Sequence, residues 1–161
     1  MQNSRRIVLG LVLSLSLGMA ACSYSLVRPS DEPVRLGKEY FARADYGLAE
    51  QSFRAAVEAN PESIDAWVGL AASYDQLRRF DLADKAYVQA TKLAGNTAEI
   101  LNNRGYHFLL RGDREQARRY LLAAAERDPT NPYVRSNLVL LETWSSSDTV
   151  CTAAPHPTWC R

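Results

Sequence analysis

The chain has 161 residues, room for one domain of ordinary size. Apolar residues make up 47% and charged residues 23%, the balance of a soluble folded protein. The formal net charge is +1, and without Arg5 and Arg6, which fall in a leader argued below, 17 basic residues face 18 acidic ones. That near-neutral balance lacks the basic field that nucleic-acid binding requires, so the partner is expected not to be a polyanion.

Residues 1–21 read as a leader. Arg5 and Arg6 form a short positive region, and Ile7 to Leu17 follow without a charge. This run is too short for a permanent bilayer span, which takes about 20 apolar residues, but fits a secretory signal peptide. The ending Gly18-Met19-Ala20-Ala21-Cys22 resembles a bacterial lipobox, with Met19 in place of the usual Leu. That resemblance implies lipidation of Cys22 and firm anchoring by its acyl chains; the alternative is plain cleavage after Ala20 or Ala21, leaving Cys22 a free thiol. Ser23 after the cysteine favours the outer membrane, by resemblance to enterobacterial sorting. Residues 22–29 form a linker.

From residue 30 a 34-residue period organises the chain. Ala49, Phe53, Ala56 and Pro61 recur as Ala83, Tyr87, Ala90 and Gly95, and again as Ala117, Leu121, Ala124 and Pro129. The upstream half repeats in register: Leu36, Gly37 and Tyr40, then Leu70, Ala71 and Tyr74, then Gly105 and Phe108, with Arg104 where Leu36 and Leu70 stand. Short turns at 44–46, 78–80 and 112–114 separate the halves. The apolar spacing is helical, the small residues permit close helix approach, and each Pro or Gly ends a second helix. The expected fold is all-α: three helix pairs over 30–63, 64–97 and 98–131, then a capping helix over 132–144 that closes the stack.

Residues 145–161 read as a tail. Cys151 and Cys160 can close a small disulfide loop in an oxidising compartment. Free thiols are the main alternative. A metal site with His156 is a third, but three ligands at this spacing match no zinc pattern. No cofactor is expected.

The repeat resembles the tetratricopeptide repeat, two antiparallel helices per 34 residues. By that resemblance the first helices line a concave groove through the second, fifth, ninth, twelfth and thirteenth positions of each unit. These give Val34, Lys38 and Phe41, then Val68, Asp75 and Gln76, then Asn102, Tyr106, Leu109 and Leu110, with Tyr133, Leu140 and Trp144 from the capping helix. Asn102, Tyr106 and Leu109 fall on one helical face, suited to gripping a peptide, although they can equally pack within the stack. Repeat domains that clamp a C-terminal carboxylate use cations and Asn at groove positions where this chain has Val34 and Glu99. An acidic tail is therefore a poor guest, and an amphipathic helix or apolar strand a better one.

Catalysis finds no support in the motifs. His107 stands at the tenth position of its unit, facing a neighbouring helix or solvent, and reads as a tolerated surface residue. There is no phosphate loop, nucleophile elbow or paired-carboxylate arrangement, and no small-molecule substrate is expected.

The stretches Leu101-Asn102-Asn103-Arg104-Gly105-Tyr106 and Asp128-Pro129-Thr130-Asn131-Pro132-Tyr133 resemble the TadD family of tight-adherence (Tad, or Flp) pilus lipoproteins and the pilotins of type IV pili. The short array fits the former better. The resemblance implies an outer-membrane, periplasm-facing pilotin that grips a segment of a pilus secretin. The alternatives are a scaffold of another envelope machine and a non-catalytic subunit of a periplasmic cell-wall enzyme.

Overall fold

The computed structural model describes residues 31–152, with side chains through residue 143. Seven helices follow one another: α1 (Glu32–Ala42), α2 (Tyr46–Ala59), α3 (Ile64–Gln76), α4 (Phe80–Ala94), α5 (Ala98–Arg111), α6 (Arg114–Arg127) and α7 (Pro132–Thr152). Among the described residues there is no strand. Pairs α1–α2, α3–α4 and α5–α6 form three units, and α7 packs on the last, as the 34-residue period implies.

The same chemistry starts and stops the helices in each unit. Ser63, Thr97 and Asn131 are spaced 34 residues apart, and each side chain accepts a backbone N–H of the helix it precedes: Ala66 at 3.3 Å, Ile100 at 3.2 Å and Tyr133 at 3.0 Å. First helices end at Ala44, Arg78 and Gly112, again 34 apart and all with φ between 60° and 80°. At each of these ends two backbone N–H groups turn back onto the last carbonyls, as in Asp45 to Tyr40 and Asp113 to Phe108, both at 2.9 Å.

The core follows the repeat. Ala49, Ala83 and Ala117 are fully buried, and so are Phe53, Tyr87 and Leu121 and the third-position Ala56, Ala90 and Ala124. Phe53 is wedged where a Cβ on Gly37 would come within 2.8 Å of its ring and one on Gly69 within 2.3 Å. Gly105 leaves the same space for Leu121, at 2.6 Å. Arg104, the departure from the Leu pattern, lays its guanidinium 4.6 Å over the Tyr120 ring, which stacks on Phe108.

One boundary differs from expectation: α7 runs past residue 144 to Thr152, taking in the start of the expected tail. Ser145 to Thr152 hold no Pro or Gly to stop a helix that Pro132 and the Asn131 cap have begun. The leader, Cys22, the 22–29 linker, Cys160 and the side chains of Trp144 and Cys151 lie outside what is described, and the proposed lipidation and disulfide fall there. No described helix is long and apolar enough to cross a membrane.

Candidate functional site: the inner groove

First helices touch one another across units, α1 on α3, α3 on α5 and α5 on α7, so they form a continuous inner wall. Three adjoining cavities run along it. The largest, about 590 Å³, lies between α3, α5 and α7 and is reached by Phe41 from α1. A second, of about 240 Å³, sits between α1 and α3 and shares Phe41, Ala72 and Glu99 with the first. The third, about 510 Å³, opens at the N-terminal end beside Val34, Lys38 and Asp65. Shared lining residues make the three one groove.

Its surface alternates rings and amides. Phe41, Tyr106 and Tyr133 supply the rings, and Gln76, Asn103 and Asn137 the amides. Tyr133 is 73% exposed, the most open of the large hydrophobic side chains described. Neutral amides can pair with a guest backbone while rings cover its side chains, which is the division of labour seen in peptide grooves. The cations on this wall are already engaged. Lys38 Nζ donates to Asp65 at 2.6 Å, and Arg35 is held by Glu32 and Glu39.

Several residues expected in the groove serve other ends. Leu109 is fully buried with Ala117, Leu121 and Leu141 under α7, so it is core and not lining. Leu140 packs against that same cluster, and the half-buried Leu110 lines none of the three cavities. Asn102 faces the groove but is 8% exposed and accepts a hydrogen bond from Asn137 Nδ2 at 3.0 Å, tying α5 to α7. Val68 floors the second cavity while packing with Ala90 and Ile100. Val34, Lys38, Phe41, Gln76, Tyr106 and Tyr133 do reach the groove.

Asp75 is a different matter. Only 1% exposed, it accepts from the Tyr87 hydroxyl at 3.0 Å and lies 2.5 Å from His107 Nδ1. The expectation of a surface His107 is thus corrected. The imidazole is fully buried, edge-on to Phe80, Tyr87 and Phe108. Its Nε2 approaches Asp84 at 3.4 Å, which Arg111 binds at 2.8 Å. Burial pushes the Asp75 carboxyl above its ordinary value, against the opposing hydrogen bonds from His107 and Tyr87. Burial, followed by the Asp75 charge, likewise pushes the Tyr87 hydroxyl well up. The cluster joins Asp75 of α3 and Tyr87 of α4 to His107 of α5 and so fastens the second unit to the third, with Asp75 and Tyr87 at the edge of the largest cavity. The signal for it was available: Tyr87 stands where Phe53 and Leu121 stand, and a buried hydroxyl needs an acceptor.

Comparison with known proteins places this geometry. The type IV pilus assembly protein PilF of Pseudomonas aeruginosa is 31% identical over 96 residues, which cover 60% of this chain and 38% of PilF. The protein bimA of Emericella nidulans is 29% identical over 65 residues, covering 40% of this chain and 8% of bimA. The chain therefore spans well under half the length of these curated relatives. The Pseudomonas aeruginosa pilF structure superposes with a TM-score of 0.63 at 29% identity, covering 74% of this chain and 55% of that one. PilW, described as a widely conserved type IV pilus biogenesis factor, gives 0.62 at 27%, covering 73% and 55%. The first repeat domain of Spaghetti (RPAP3), bound to the HSP90 peptide SRMEEVD, shares the fold with a TM-score of 0.63 at 19% identity, covering 73% and 93%. The tetratricopeptide repeat model matches residues 34–83 and 69–132, more than half of the sequence, and the chain belongs to the tetratricopeptide repeat family.

Proposed function

We propose that this chain is an outer-membrane lipoprotein that holds a segment of a partner protein in its inner groove during pilus assembly, the partner being the secretin of a Tad (Flp) pilus. The observation that carries the reading is the groove. A continuous wall of rings and amides from α1 to α7 stays open, because the side chains that would fill it, Leu109 above all, turn into the core. Kinship with PilF and PilW supports a part in pilus biogenesis. The lipobox-like ending at Cys22 supports the anchor, and the likeness of the stretches 101–106 and 128–133 to the TadD family supports the Tad variety.

The groove test uses Tyr133, whose exposed ring packs in none of the core clusters. Tyr133→Glu should cut secretin capture in pull-down by about tenfold or more, as expected when an aromatic anchor is lost. The far-UV circular dichroism should not change. Asn102 is unsuitable, since its bond to Asn137 holds α7 in place. Undiminished capture would end the groove reading, and capture of a cell-wall hydrolase in place of a secretin would end the pilus reading. Cys22→Ser should move the protein out of the membrane fraction; persistence there would end the anchor.

A further inference from the structure

The groove carries charge as well as rings. Its lining holds four carboxylates, Asp31, Asp65, Asp75 and Glu99, against the two cations Arg35 and Lys38. Asp65 is neutralised by Lys38 and Asp75 is consumed by Tyr87 and His107. Glu99 differs. It is exposed, it lines both the larger inner cavity and the smaller one beside it, and among the described residues it has no ion-pair or hydrogen-bond partner. Apolar surface flanks it on both sides, Phe41 and Val68 toward α1 and Tyr106 and Tyr133 toward α7. Asn103, one turn along the same face of α5, offers a free amide next to it.

Resting on the groove reading above, we propose that the groove selects a guest segment in which a Lys or Arg is flanked by apolar side chains, the cation meeting the Glu99 carboxylate. A carboxylate flanked by apolar surface attracts a fixed cation on the guest, an effect its exposure keeps modest and that shows chiefly as a preference between guests. It also repels an acidic guest, which makes it a specificity element as much as an affinity one. The opposite preference, for acidic tails of the kind in SRMEEVD, would need cations that this wall has already paired. Glu99 also sits in the first turn of α5, where a carboxylate favours the helix dipole. For that reason the test reads charge reversal and not loss of stability.

Short random peptides displayed on phage are panned against the full chain, and binders that fail on the Tyr133→Glu variant are kept as groove-dependent. Those peptides should be enriched in Lys or Arg between apolar residues. Replacing that cation by Glu in a selected peptide should weaken binding by about tenfold or more. Glu99→Lys should do the same to the original peptide and restore binding of the Glu-containing one. Groove-dependent peptides with no basic preference, or a Glu99→Lys variant that leaves both peptides unaffected, would overturn the charge inference while the groove reading stands. If no groove-dependent peptide emerges at all, the groove reading falls and this inference with it.

Discussion

Missing atoms set the helix spacing. The Phe53 ring is pinched between Gly37 on α1 and Gly69 on α3, so it cannot move away from a new Cβ on either side. Gly69→Ala should therefore lower stability by roughly 1–3 kcal/mol, the usual penalty of overpacking. Gly47, within α2, meets nothing within 4 Å, and there the same change should raise stability by up to about 1 kcal/mol through helix propensity. Urea unfolding of the two variants checks the opposite signs; a Gly69→Ala variant as stable as the parent would show that the ring finds another seat. Much of this was legible in the sequence, because Gly37 and Gly105 fall in register with Ala71 and the core positions of Ala49, Phe53 and Ala56 recur after 34 residues. Gly69 was not legible, since Arg35 and Asn103 occupy its place in the other units and only the packed ring explains it.

Helix ends and helix junctions obey different rules at the scale of elements. Ends are local, so the caps Ser63, Thr97 and Asn131 and the left-handed stops at Ala44, Arg78 and Gly112 repeat with the period. Where two units use Pro61 and Pro129 after an extended Asn60 or Asp128, the middle one turns on Gly95 at φ 72°, ψ −165°, a shape open only to glycine. Junctions are not local. Asp75 stands where Phe41 and Leu109 stand, so the period marks it as a groove or core position and conceals its pairing with His107, 32 residues on and in another unit. The raised carboxyl of Asp75 has a consequence for pH. A carboxyl pushed above its ordinary 3.8 binds its proton in the folded chain before the unfolded chain does, so folding gains most from it below that value. The gain is then lost as pH rises through the higher folded-state value. The stability of the parent relative to Asp75→Asn should accordingly fall as pH is raised from about 4 to about 7 in urea titrations. A relative stability that climbs over this window would mean that the pairing with His107 outweighs burial. At the alkaline end the raised Tyr87 hydroxyl adds stability up to its ordinary 10.0 that is lost above it, a loss that Tyr87→Phe should remove.

At the largest scale the described residues form a one-dimensional array of three units, about the fewest that make a stable stack. Among the described residues, each unit packs only on its neighbours: α2 on α3, α4 on α5 and α6 on α7, with no contact between the first unit and the third. Stability in such an array is the sum of weak units and the junctions between them, so one junction can decide whether the chain unfolds as a whole or in parts. The exposed Lys38–Asp65 pair is a polar tie between the first two units and contributes little. The second junction holds the sealed Asp75–His107 contact together with Arg111–Asp84. Removing one member of that cluster strands a buried carboxylate, at a cost of about 3 kcal/mol or more. His107→Ala should therefore loosen α5, α6 and α7 selectively. In hydrogen exchange the amides of those helices should lose protection while those of α1 and α2 keep most of theirs. Uniform loss across all seven helices would mean that the array is too short to come apart at one seam. The distinction reaches the groove, because its inner wall crosses this same junction from Phe41 to Tyr133. A guest spanning it would clamp the second unit to the third, so a groove-bound peptide should restore part of the protection that His107→Ala removes, in proportion to its affinity.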